Sequence, residues 1–423
     1  MKKIELPERN TWSHILQRPV IDTVTLEQQV KGVLDVVKQD GDKAVLQFTR
    51  QFDGVQLSSL VVTDEEIESA IQQVPDDLKR AIKQAANNIR VFHEKQKTAI
   101  EVVETMKGVR CWRKSVGIDK VGLYIPGGTA PLFSTILMLA IPAQIAGCKE
   151  VILCSPPDKE GKLNPAILYA ASLTGVHKIF KMGGVQAIAA MAYGTETVPR
   201  VYKIFGPGNQ YVTCAKQLVQ HEGTAIDMPA GPSEICVLAD ASANPSFVAA
   251  DLLSQAEHGA DSQVLLVSID NQLIDAVIKE LSVQLEQLPR KEMAVKALEN
   301  SKAIFVKNMD DAIDLVNEYA AEHLIIACEQ DEWIAEKITN AGSVFLGNYS
   351  PESVGDYASG TNHTLPTKGF ARAYSGVSLD SFVKKITYQR LTKEGLTAIA
   401  PTVTAMAAAE GLDAHKKAVT IRL

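Results

Sequence analysis

The chain has 423 residues, enough for two or three domains at roughly 150 residues each. Hydrophobic residues make up 46% and charged residues 22%, which excludes a disordered class and allows a core that needs no disulfide or structural metal. The net charge of -7, from 43 basic and 50 acidic residues with no basic block, argues against nucleic acid as a partner.

In chain order, the N-terminus (Met1, Lys2, Lys3, Ile4, Glu5) is charged and carries no apolar signal core. Residues 20–118 are predicted mostly helical, with apolar residues at helical spacing across 64–99, as in a helix that covers a sheet. From residue 119 the pattern alternates between short apolar runs and longer helical stretches. The runs fall at 121–125, 151–154, 177–180, 201–205, 235–238, 264–267, 303–306 and 324–327. Most are continuously apolar, as parallel strands covered on both faces are. The alternation predicts an α/β fold with open doubly wound sheets and right-handed crossovers. The most apolar stretch, 130–148, holds Ser134, Thr135, Pro142 and Gln144, so it reads as a buried helix and no membrane partner is expected.

Residues 347–368 carry the breakers Gly347, Pro351, Gly355, Gly360 and Pro366 together with Asp356 and His363, which points to a functional loop. The tail, 370–423, has an alanine-rich helix over 400–410, a break at Gly411 and a polar stretch through His415. It is too thin to form a core and must pack on its own chain or on a partner. Six cysteines (Cys111, Cys148, Cys154, Cys214, Cys236, Cys328) are scattered without a C-x-x-C pair, as reduced core residues of a cytoplasmic protein would be.

Three runs end in glycine-rich turns, Pro126-Gly127-Gly128, Met182-Gly183-Gly184 and Gly206-Pro207-Gly208-Asn209. Glycine there lets backbone approach a ligand, and a following helix N-terminus favours phosphate. G-x-G-x-x-G is absent, so a nucleotide site and ordinary strand turns both remain open.

Four histidines (His14, His93, His177, His221) fall in surface or strand-edge patterns and read as structural. Asn244 and Pro245 signal a helix start, and Asp251, Gln255 and His258 then share one helix face. Taken alone, that face fits either solvent or a mixed nitrogen–oxygen metal site. His363 and His415 taken alone read as solvated. Glu322-His323 lies where the helix predicted over 310–321 gives way to a strand; it fits a charged helix end or two adjacent general bases.

Together these segments resemble the histidinol dehydrogenase family. The resemblance rests on five stretches in this order: Gly206-Pro207-Gly208-Asn209, Asp227 through Glu234, the helix Asp251 through Gly259, Glu322-His323-Leu324, and Gly355 through Pro366. It covers essentially the whole chain and implies two open parallel-sheet, incomplete Rossmann-like domains with helical terminal extensions. The expected division is 119–234 for NAD, 21–118 plus 235–369 for zinc and substrate, and 1–20 plus 370–423 as a dimerisation tail. The resemblance implies oxidation of L-histidinol through L-histidinal to L-histidine, with two NAD⁺ and Zn²⁺. Zinc ligands would be Gln255, His258, Asp356 and His415, which also surround the substrate, with the tail of one subunit of a homodimer completing the site of the other. Substrate contacts would be Ser233, His323, Glu410 and His363, and NAD contacts Tyr124, Gln186 and Asn209. The chemistry then assigns His323 as base for the alcohol proton and Glu322 as activator of the water that hydrates the aldehyde. Two other classes stay open: a zinc hydrolase on the same scaffold, and a non-catalytic nucleotide-binding protein.

Overall fold

The computed structural model describes residues 1–18, 23–127 and 131–423. Gly128 of the first glycine turn, Ala130 at the head of the apolar stretch, and the expected boundary residues 19–22 lie outside the described residues.

Fourteen strands are found among the described residues. They are β1 (Lys2–Glu5), β2 (Val102–Met106), β3 (Val109–Gly117), β4 (Lys120–Tyr124), β5 (Glu150–Ser155), β6 (Lys178–Lys181) and β7 (Lys203–Phe205). Then follow β8 (Ala225–Ile226), β9 (Glu234–Ala239), β10 (Gln263–Ser268), β11 (Lys302–Phe305), β12 (His323–Ala327), β13 (Ser343–Leu346) and β14 (Val383–Leu391). All eight apolar runs read from the sequence are strands.

Two parallel sheets form the body. One has the order β6-β5-β4-β7-β8, the other β1-β11-β10-β9-β12-β13. In each, successive strands add outward on one side and then on the other, leaving a switch point between β4 and β7 and between β9 and β12. Every residue of β9, β10 and β12 is buried, as helices on both faces require. Their continuous apolar runs follow from that double burial.

The third sheet, β14-β3-β2, is antiparallel and departs from the mostly helical reading of 20–118 and the helical reading of the tail. β3 pairs with β14 from Val109↔Leu391 to Gly117↔Val383, and Trp112 stacks on Tyr388. These strands are largely exposed, so they carry no apolar run to mark them.

The predicted helix over 64–99 is two helices, Asp64–Gln73 and Asp76–Glu94, parted at Pro75. Their buried residues, such as Ile67, Ile82 and Ile89, join the core of β4 and β5, while Val30, Leu34 and Val37 pack on the opposite side of that sheet. Residues 26–94 thus lie against the sheet of 120–226, whereas the sequence grouping joined them to 235–369. β1 likewise joins the six-stranded sheet instead of the tail. The apolar stretch forms the buried helix Phe133–Ala146, and no helix among the described residues is long and apolar enough to cross a membrane. No disulfide joins the six cysteines.

Candidate active site

The polar centre lies at the amino edge of the six-stranded sheet, where β9 begins with Glu234 and β12 begins with His323. This is the opposite end from the carboxyl edge where open α/β sheets commonly bind ligands. The helix Met309–Tyr319 stops at Ala320, which adopts a left-handed φ of 53°, and the chain then turns into β12. Gly342 packs against this turn: a Cβ there would stand 2.5 Å from the Glu322 carbonyl oxygen. The neighbouring Ser343 N–H donates to that same oxygen at 2.9 Å.

Glu234 fixes both members of the pair through its backbone. Its N–H donates to Glu322 Oε2 at 2.9 Å, and its carbonyl accepts from His323 Nδ1 at 3.2 Å. Because a carbonyl only accepts, Nδ1 carries the proton and Nε2 is left free. The Glu234 carboxylate is held in turn by Arg18, Nε to Oε1 at 2.6 Å and a second guanidinium nitrogen to Oε2 at 2.8 Å, and by the Lys368 N–H at 2.8 Å.

His323 Nε2 is buried without a hydrogen bond and lies 3.4 Å from Asp356 Oδ1; Nδ1 lies 3.7 Å from Glu322 Oε2. Burial pushes the Glu322 carboxyl up, to about 8, against the pull of His323. Burial opposes a charged His323, but Glu322 and Asp356 outweigh it and raise the imidazole pKa. Asp356 is held below the usual carboxylate range, because its contact with His323 outweighs its burial. His363 donates from Nδ1 to the Asp356 carbonyl at 2.8 Å and accepts at Nε2 from Thr135 Oγ1 at 3.0 Å, and burial lowers its pKa. Both of its ring nitrogens are therefore engaged. Thr135 belongs to the helix that follows β4, so this contact ties the two halves of the molecule together.

The helix Pro245–Ala256 is capped by Asn244 as the sequence predicts; Gln255 lies in its last turn, whereas His258, expected on the same helix face, lies two residues beyond the helix end. Gln255 is buried; its Nε2 donates to Glu352 Oε1 at 3.0 Å, while its Oε1 has no hydrogen-bond partner. His258 stands in the field of Asp356, Glu352 and His323. Glu352 thus links Gln255, by a hydrogen bond, to the charges that act on His258, and Ser233 directly precedes Glu234. Glu410 and His415 do not join them: both are exposed, on the helix Lys393–Ala409 at its end and on the helix Asp413–Thr420. Among the described residues, no three His, Cys, Asp or Glu side chains form a metal-holding group by themselves.

Tyr124, Gln186 and Asn209 meet elsewhere, in a cavity of about 1050 Å³ at the carboxyl edge of the five-stranded sheet. Tyr124 Oη accepts from the Gly184 N–H at 3.1 Å, and Asn209 caps the helix Gln210–His221. Gly206 turns beside β4 with φ 126°; a Cβ there would lie 2.0 Å from the Tyr124 carbonyl oxygen. Gln186 Nε2 donates to Asp53 Oδ2 at 3.3 Å, and Gln186 Oε1 is buried without a partner. Burial pushes the Asp53 carboxyl up to about 6. The sequence reading assigned no part to Asp53, Arg18 or Glu352, and Glu234 entered only as the last residue of the stretch from Asp227. Each acts through contacts distant in the chain, which leave no local pattern.

The family model described as histidinol dehydrogenase matches residues 16–423. A curated histidinol dehydrogenase of Bacteroides thetaiotaomicron is 62% identical over 423 residues, covering 100% of this chain and 99% of that protein. The chloroplastic histidinol dehydrogenase of Arabidopsis thaliana is 54% identical over 409 residues, covering 96% of this chain and 87% of that protein. The crystal structure of histidinol dehydrogenase from Elizabethkingia anophelis superposes with a TM-score of 0.98 at 55% identity, covering 100% of this chain and 98% of that one.

Proposed function

The chain belongs to the histidinol dehydrogenase family, and from that premise we propose that it oxidises L-histidinol through L-histidinal to L-histidine, using two NAD⁺ and one Zn²⁺ per site. The observation that carries this reading is the pairing of Glu322 and His323 on the backbone of Glu234, beside Asp356.

His323 takes the alcohol proton. Its Nδ1–H is committed to the Glu234 carbonyl, which leaves Nε2 as the basic nitrogen. Glu322 and Asp356 favour the protonated ring, which is the form His323 reaches on taking that proton. Glu322 takes a proton from the water that hydrates the aldehyde. One of its oxygens is tied to the Glu234 N–H, and its raised pKa makes it a stronger base than an ordinary carboxylate.

Gln255, His258 and Asp356 fit a zinc ion: they offer an amide oxygen, an imidazole and a carboxylate, and Gln255 Oε1 is buried without a partner. They also lie where a helix ends, and the negative end of the helix favours a cation. Zinc, when bound, supplies an anchor for the imidazole and amine of the substrate. His415 would be the fourth ligand and Glu410 a substrate contact, both from the tail of the other subunit of a homodimer. The exposure of that tail in the single chain supports this arrangement.

The cavity lined by Tyr124, Gln186 and Asn209 suits a dinucleotide in size and in its position at a switch point, and Gln186 Oε1 offers an acceptor. NAD, when bound, supplies the hydride acceptor. We assign residues 119–234 to NAD binding, 235–369 to zinc and substrate, and 370–423 to dimerisation. Unpaired cysteines suit a reducing cytoplasm.

The test is NADH formation from histidinol with and without a chelator. Two NADH per histidinol, lost on chelation and restored by zinc, support the proposal. No NADH from zinc-loaded protein rejects it in favour of a hydrolase or a nucleotide-binding protein.

A further inference from the structure

We propose that Glu352 is the positioning residue that turns the Gln255 amide so that its oxygen, and not its nitrogen, faces the metal. The inference rests on the zinc reading above and adds a residue to it.

An amide side chain presents oxygen at one end and NH₂ at the other, and the two differ little in shape. Only the oxygen can ligate a cation. A Gln ligand therefore needs something that decides which way it turns. Glu352 is 1% exposed. Its Oε1 accepts from Gln255 Nε2 at 3.0 Å and from Ser254 Oγ at 2.6 Å, and its Oε2 accepts from Ser353 Oγ at 2.8 Å. Gln255 and Ser353 thus each donate to one carboxylate oxygen, while Ser254 Oγ shares its single proton between Oε1 and the Asp251 carbonyl at 2.7 Å. A carboxylate engaged in this way binds the NH₂ end of Gln255 and rejects the carbonyl end.

The other end of the amide completes the argument. Gln255 is also 1% exposed, and its Oε1 has no hydrogen-bond partner. A buried carbonyl left bare is costly unless something occupies its lone pairs. Asp356 stands four residues after Glu352, one turn further along the segment Glu352–Tyr357. One short helix therefore carries both a ligand and the group that orients another ligand.

The experiment measures zinc affinity by competition with a chromophoric chelator, on protein first stripped of metal, without reference to turnover. Glu352→Gln keeps the volume, but its amide can donate as well as accept and no longer dictates the direction of Gln255. Glu352→Met removes the acceptor altogether. The expected losses are about tenfold and up to about a hundredfold, the range usual for groups that orient metal ligands. In a Gln255→Ala background the same changes should cost little more, since the group they orient is gone. A role in packing alone would lower the melting temperature of the metal-free protein and leave the affinity of the folded fraction unchanged. Wild-type affinity in Glu352→Gln overturns the inference, as does an equal loss with and without Gln255. A wild-type protein that binds no zinc overturns the underlying zinc reading, which is a separate result.

Discussion

The carbonyl oxygen of Glu234 and Nδ1 of His323 are 3.2 Å apart, a contact between the first residue of one central strand and the first residue of its neighbour. Because the same residue also holds Glu322 through its N–H, the spacing of the two bases is set by backbone. Their geometry is as rigid as the pairing of β9 with β12.

His323→Asn keeps a side chain near the Glu234 carbonyl but removes the basic Nε2. Turnover of histidinol should fall by about 10²–10⁴, the usual contribution of a positioned base. Binding of histidinol, measured by calorimetry on the zinc-loaded protein, should change much less. Full turnover would remove His323 from the base role.

Glu322→Gln should separate the two oxidations. Stopped-flow measurement should show NADH from the first hydride transfer, while conversion of supplied histidinal to histidine drops by a similar factor. Native rates with histidinal would show that water is activated by another group.

Arg18→Met leaves the Glu234 carboxylate buried with only the Lys368 N–H. Side-chain exposures of 16% and 3% place this ion pair in the interior, where loss of one partner costs about 3–5 kcal/mol. The melting temperature should fall by several degrees or more, and kcat should fall with it, as β9 is loosened beneath both bases. An unchanged melting temperature would contradict the assigned importance of this pair.

Asp53 makes stability depend on pH. Burial raises its pKa from 3.8 to about 6, so the folded state holds the proton more tightly than the unfolded chain. Stability from this group is full below pH 3.8 and is lost as pH rises to about 6, after which the contribution is constant. Asp53 is only partly buried, so solvent screens part of this penalty, and Asp53→Asn should stabilise the protein by on the order of 1 kcal/mol at pH 8, and by less at pH 5. Urea midpoints at the two pH values check both size and direction. A larger gain at pH 5 would contradict the sign.

A mixed dimer of one His415→Ala chain and one Glu322→Gln chain tests the crossing tail. If tails cross, one site collects both lesions and the other is intact, so about half the activity survives (by counting sites). If each tail serves its own chain, every site carries one lesion and activity is lost. Both homodimers should be inactive in either case.

Much of the body was legible in the sequence because parallel strands buried on both faces must be apolar throughout. The same reasoning missed β2, β3 and β14, whose side chains are largely exposed, and β1, whose Lys-Lys-Ile-Glu has a single apolar residue. His93 illustrates a different limit. It falls in a surface-like pattern, yet it is 0% exposed, with Nδ1 donating to the Ile89 carbonyl at 2.8 Å. At the site, Glu322-His323 stood out as a polar pair ahead of an apolar run. Arg18 could not, because 216 residues separate it from Glu234, and Glu234 itself was visible only as the end of the stretch that begins at Asp227, with nothing local to mark its role.

β1 is paired in register with β11, Lys2 beside Lys302 and Glu5 beside Phe305. On the ribosome the chain's first strand must therefore wait for one of its last. Strands β4 to β8 lie within residues 120–226 and can assemble early, while β1 stays unpaired until about three hundred residues have emerged. Its two lysines and its glutamate suit that delay, since charged residues keep a free edge strand from pairing with another chain. A strand that contributes little to the core is thus the one best suited to a long exposure during synthesis.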